Sequence, residues 1–158
     1  MNITKKELLL FTFFSGISLL YSYYYYLKGK SSSEINKLWG GITGNVRSVY
    51  KLSMLLCIVC MFSIIYKLFK SDKKDFKDEF YGLSMLIVTS IFYLPLTIKY
   101  IKNPSTITFI NLLGTLFYVA LGAIILYRLN PGYDTGYLMF HLVVLDLFYW
   151  SYRFFTKY

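Results

Sequence analysis

The sequence predicts an all-α fold, an integral membrane bundle of five transmembrane helices with a short interfacial helix or loop between the first two. Two observations predict it. Hydrophobic residues make up 56% of the 158 positions, a share with few alternating polar faces to cover a soluble core. Runs of about 20 apolar residues, the length that crosses roughly 30 Å of hydrocarbon, occur five times, at about 8–27, 50–69, 81–101, 107–128 and 136–155. Only short polar segments separate them, so residues 1–158 form one domain placed in a membrane, with the lipid bilayer as its first partner.

The first run follows Lys5 and Lys6 as a signal peptide would. It is too long for a signal h-region and no small-x-small pattern follows, so it reads as a retained helix. It closes in YSYYYYLKGK, where Tyr21 and Tyr23–Tyr26 suit a water interface with rings in lipid and hydroxyls wet. Residues 31–48, SSSEINKLWGGITGNVRS, form the longest segment between runs. Ser33 is placed to cap a short amphipathic helix bearing Ile35, Leu38 and Trp39, and Gly40, Gly41 and Gly44 then break regular structure. An interfacial helix or a cap over the bundle fits this segment.

The second run contains CIVC, Cys57 to Cys60. A redox pair or half a metal site is conceivable, and the tetrapeptide is similar to that of vitamin K epoxide reductases, but the chain has no further cysteine for a relay pair. Buried small hydrophobes are the reading the spacing favours, and no metal set is expected. KSDKKDFKDEF, residues 70–80, is a solvated charged loop. Pro95 removes one backbone hydrogen bond from the third helix and kinks it. KNPS, residues 102–105, turns into a fourth helix with Gly114 and Gly122 for close packing and Asn111, Thr115 and Tyr118 along one face. NPGYDTG, residues 130–136, turns into the fifth, with Asp134 as a cap.

The net charge of +9 is not a nucleic-acid signal, because the 17 Lys and Arg residues flank the apolar runs instead of sharing one face. With five spans, one side carries Lys5, Lys6, Lys67, Lys70, Lys73, Lys74, Lys77 and Arg128, and the other carries the remaining nine. The positive-inside rule counts cations alone and leaves orientation balanced. Carboxylates offset the lysines of residues 70–80. The more basic side, with Lys28, Lys30, Lys37, Arg47 and Lys51, reads as ordinary flanking charge or as a contact for anionic headgroups.

The stretch FHLVVLDLFYW, residues 140–150, carries the one histidine and an aspartate inside an apolar run. Five residues apart, His141 and Asp146 stand about 140° apart around an α-helix, which separates them. A hydrogen-bonded structural role suits His141. Asp146, about ten residues from either helix end, must point into the bundle towards a partner or a cavity; Asn111, Arg47 and Arg128 are candidate partners. Trp150 follows it by four on the same face. No catalytic triad order, phosphate loop, dinucleotide fingerprint or metal cluster is present, so catalytic residues are not expected.

The spacing of Trp39 and Tyr50, the segment Ser90-Ile-Phe-Tyr93-Leu-Pro95, and Leu145-Asp146-Leu-Phe-Tyr-Trp150 resemble the W-x-P-P loop, the N-x-x-W-x-P third helix and the L-N-x-x-x-W fifth helix of the TspO/translocator (peripheral benzodiazepine receptor) family. Gly40-Gly41 stands for the prolines, Tyr50 and Tyr93 for tryptophans, and Asp146 for the asparagine. The closing H-x-x-x-L-D-x-x-x-W also resembles five-helix proteins of large DNA viruses and algae. The TspO resemblance implies a helical bundle, often a homodimer, that binds a small flat apolar ligand such as haem, another porphyrin or a sterol in a cavity lined by Trp39, Tyr50, Tyr93, Asn111, Asp146 and Trp150, with no covalent cofactor. Aromatic pockets with one or two polar groups suit such ligands. Two other readings stay open: a structural subunit of a larger membrane complex, and a proton or ion pathway through Asp146 drawing on Ser84, Thr89, Ser90, Asn111 and Thr115.

Overall fold

A computed structural model describes residues 2–158. Among the described residues there are helices and turns and no strand. Four helices are long and apolar enough to cross a membrane: α1 (Lys5–Leu27), α3 (Gly44–Lys70), α4 (Lys77–Lys102) and α5 (Thr106–Leu129). Between α1 and α3 lies the seven-residue α2 (Ser32–Leu38). The chain then runs unbroken through α6 (Tyr133–Phe140), a π-helical segment (His141–Trp150) and α7 (Ser151–Phe155).

Local sequence explains several helix starts. Thr4-Lys-Lys-Glu7 and Ser31-Ser-Ser-Glu34 each close a capping box, in which the hydroxyl accepts the third residue's N–H and the carboxylate accepts the cap's N–H. The cap of α2 is therefore Ser31 instead of Ser33, because only Ser31 has a glutamate three residues on. Ser105 caps α5 through the N–H of Thr108. The N-cap of the last helix is Gly132 instead of Asp134; the Asp134 carboxylate accepts the Thr135 N–H in the first turn at 3.0 Å and also reaches Ser63 and Lys67 of α3.

Helix α4 lies between α1 and α5. It packs most closely on α5, where Gly82 and Gly122 face each other so tightly that a Cβ on Gly122 would lie 2.6 Å from the Gly82 carbonyl oxygen. On its other side α1 supplies Ser22, whose hydroxyl donates to the Ile91 carbonyl at 3.0 Å. That carbonyl lies four residues before Pro95 and is the one that proline leaves without an N–H partner. A hydroxyl from the neighbouring helix thus closes the gap in the backbone ladder.

Contacts fix the two ends. At one end the Phe76 N–H donates to Ile3 O, the Ile3 N–H to Asp75, and Lys5 Nζ to Phe69 O. At the other, α2 and the Gly40–Gly44 turn dock on the end of the π-helical segment and on α7: Trp150 Nε1 donates to Leu38 O at 3.1 Å and Arg153 to Gly41 O at 3.1 Å. One core cluster lies towards the first end around Leu8, Phe76, Leu83 and Leu126. The second lies under α2 around Tyr50, Leu112, Trp150 and Phe154.

Candidate functional site

The π-helical segment decides the geometry around Asp146. An i→i+5 ladder sets residues five apart nearly above one another, so His141 and Asp146, separated on an α-helix, come together. His141 Nε2 lies 3.6 Å from Asp146 Oδ1. That is beyond hydrogen-bond reach and within ion-pair reach.

Helix α3 supplies the partners. Tyr50 donates its phenol hydroxyl to Asp146 Oδ1. One turn on, Ser53 Oγ lies 2.8 Å from His141 Nδ1 and 2.8 Å from the Tyr137 hydroxyl. The result is a file of polar side chains, Tyr137, Ser53, His141, Asp146 and Tyr50, along the seam between α3 and the last helix, hydrogen-bonded except at the 3.6 Å step from His141 to Asp146. His141 and Ser53 are buried. The Asp146 side chain is 25% exposed, and no lysine or arginine forms a salt bridge with it among the described residues. Arg47 lies elsewhere, over the Trp39 ring at 4.7 Å and bonded to Asn36.

Aromatic rings enclose the Asp146 end of the file. Trp39 meets Tyr50 edge-on at 5.9 Å, and Tyr50 meets His141 at 5.5 Å. Tyr93 of α4 packs on Trp150 at 5.3 Å, and Trp150 stacks on Phe154 at 4.4 Å with its indole N–H held by Leu38. Five of the six candidate residues therefore converge: Trp39, Tyr50, Tyr93, Asp146 and Trp150. Asn111 does not. It lies exposed on α5, and of the polar stripe it begins, only Thr115 turns inward. Thr89, Ser90 and Thr115 donate to carbonyls of their own helices, and Ser84 Oγ is buried without a partner. None of them joins the file.

Ser53 and Tyr137 are the members of the file that the sequence did not single out as candidates. Their signal was present: Ser53 stands three residues after Tyr50, and Tyr137 four before His141, each on one helical face.

Tyr137 also lines an open cleft of about 540 Å³ at the α5–α6 turn, with Tyr127, Pro131, Gly132, Tyr133 and Gly136. A narrower cleft of about 60 Å³ lies nearby, lined among others by Lys67, Lys73 and Glu79. There Lys67 pairs with Asp134 at 2.8 Å and Lys73 with Glu79 at 2.8 Å, and Ser63 donates to Asp134. Cys57 and Cys60 are free thiols on the stretch of α3 between Ser53 and Ser63. No group of three metal-ligating side chains occurs among the described residues. Compared with known proteins, the chain matches no family model, no curated protein and no solved structure.

Proposed function

We propose that this chain is an integral membrane protein of five spans, the fifth being Tyr133–Phe155, and that the Asp146 centre is a proton relay that carries protons between the membrane face at Tyr137 and the face that bears α2. The fifth span is supported by 23 unbroken helical residues, enough for about 30 Å of hydrocarbon. α2 then lies in the interface above the bundle.

One observation carries the relay: the file of polar side chains from Tyr137 to Tyr50, hydrogen-bonded on either side of a 3.6 Å step between His141 and Asp146, starts at the cleft lined by Tyr137 and reaches a carboxyl that no lysine or arginine pairs with among the described residues. Protonatable groups within membrane helices mark proton and ion routes. A carboxyl bonded to a phenol and facing an imidazole can take up a proton through the serine hydroxyl and hand it on. Each hydroxyl in the file accepts one proton as it donates another.

The test is proton flux into liposomes that hold a pH-sensitive dye, driven by a potassium diffusion potential. The wild-type chain should acidify the lumen faster than empty vesicles, Asp146→Asn should abolish the difference, and Ser53→Ala should reduce it at least tenfold. Flux equal to empty vesicles for the wild type, or unchanged in Asp146→Asn, refutes the relay.

A second reading, in which a flat apolar ligand such as a tetrapyrrole or sterol enters beside Asp146, is supported by the convergence of Trp39, Tyr50, Tyr93 and Trp150 on a carboxyl that stays partly exposed. The ligand would have to part rings that now touch. Saturable micromolar protoporphyrin IX binding, lost in a folded Asp146→Ala/Trp150→Ala variant, would favour this reading; absence of binding removes it.

A further inference from the structure

We infer that the end of the bundle bearing α2 is a docking surface for anionic lipid headgroups. The inference rests on the membrane reading and is independent of the relay. The contacts that fix the two ends also sort the charges. The α2 end carries Lys28, Lys30, Lys37, Arg47, Lys51, Lys99, Lys102, Arg153 and Lys157 against one carboxylate, Glu34, a net +8. The opposite end carries eight cations against Glu7, Asp72, Asp75, Asp78, Glu79 and Asp134, a net +2.

Pairing deepens the difference. At the acidic end the buried carboxylates hold Lys67 and Lys73 in ion pairs. At the α2 end the single carboxylate is taken by Lys30 at 3.0 Å, and the other eight cations form no salt bridge among the described residues. Seven of the nine are exposed.

Their placement selects a lipid over a soluble anion. Lys51 and Lys99 stand inside α3 and α4, on exposed flanks within two turns of the helix ends. From there an ammonium reaches the headgroup plane by extending along the span. Arg47 and Lys51 share the Trp39 ring at 4.7 and 5.7 Å, while Arg153 and Lys157 flank Gly41. Cations interleaved with interfacial aromatics match phosphate groups set over acyl chains.

The test uses the full chain in nanodiscs of phosphatidylcholine with brominated phosphatidylglycerol or brominated phosphatidylcholine, reading tryptophan quenching. The anionic lipid should be preferred at least about fivefold, the effect of a single near-surface cation. A Lys28→Gln/Lys51→Gln/Lys99→Gln/Lys157→Gln variant, none of whose ammonium groups hydrogen-bonds within the chain, should bring the preference close to parity. Lys6→Gln/Lys70→Gln/Lys74→Gln/Lys77→Gln removes the same charge from the other end and should leave it intact; circular dichroism confirms that both variants fold. No preference in the wild type overturns the proposal, as does an equal loss in both variants. Release by inorganic phosphate beyond the effect of sodium chloride at equal ionic strength would assign the surface to a soluble anion and also overturn it. Proton flux is read separately, so failure of the relay leaves this result standing.

Discussion

Replacing Gly122 by alanine tests the close packing of α5 on α4. The added Cβ would stand 2.6 Å from Gly82 O, 2.8 Å from Leu86 N and 3.1 Å from Leu86 Cβ. The first two are backbone atoms and cannot rotate away. Reaching ordinary contact at 3.4 Å requires α4 and α5 to part by about 0.8 Å along that line, which forfeits roughly a quarter to a half of each contact's dispersion energy nearby. Overpacking of this kind costs about 1–3 kcal/mol, and contact with rigid backbone puts Gly122→Ala at the upper end. The better helix propensity of alanine returns about 0.5–1 kcal/mol, leaving a net loss of about 2 kcal/mol. Gly114→Ala on the same helix meets nothing within 4 Å, so it keeps the propensity gain alone. Unfolding in mixed dodecyl sulfate micelles, followed by circular dichroism, should separate the two variants by about 3 kcal/mol. Equal stabilities would refute the close approach of α4 and α5.

Trp150→Phe should cost about 1 kcal/mol in the same assay, because it keeps an aromatic ring against Phe154 and loses the indole N–H bond to Leu38 O. Gly40→Ala, at φ +56° and with a Cβ 2.8 Å from Phe154 Cα, should lift the turn from α7 and make residues 31–44 a site of limited proteolysis. Glu34 is held down to about 2 by the Ser31 backbone N–H first, then by the Lys30 ammonium and the Ser31 hydroxyl. A folded value below the usual 4.5 stabilises α2 above about pH 4.5, and that stabilisation is lost as pH falls towards 2. The exchange protection of the Ile35 amide, whose N–H donates to Ser31 O, taken relative to the intrinsic rate at each pH, should fall across that window and stay constant across it in Glu34→Gln.

The helical class and four membrane-length spans were legible because both follow from counting: runs of apolar residues and the rise of a helix need no tertiary information. That Asp146 would point into the bundle followed from the cost of an intramembrane carboxyl, whereas grouping Trp39, Tyr50, Tyr93, Asn111 and Trp150 with it came only from the resemblance to the translocator family. The pairing of His141 with Asp146 was hidden, because α-helical geometry sets the two residues apart and only the i→i+5 ladder reunites them. Asn111 misled because a polar stripe on a helix does not say which neighbour it faces; α4 packs against another side of α5. Ser22 and Pro95 show the same division at one bond. The sequence determined that the proline would leave Ile91 O unpaired, and only the packing of α1 on α4 decided which hydroxyl would fill it. Residues near in the chain obey local geometry that can be read in order, whereas the partners of Asp146 lie up to 96 residues away and are chosen by how the helices pack.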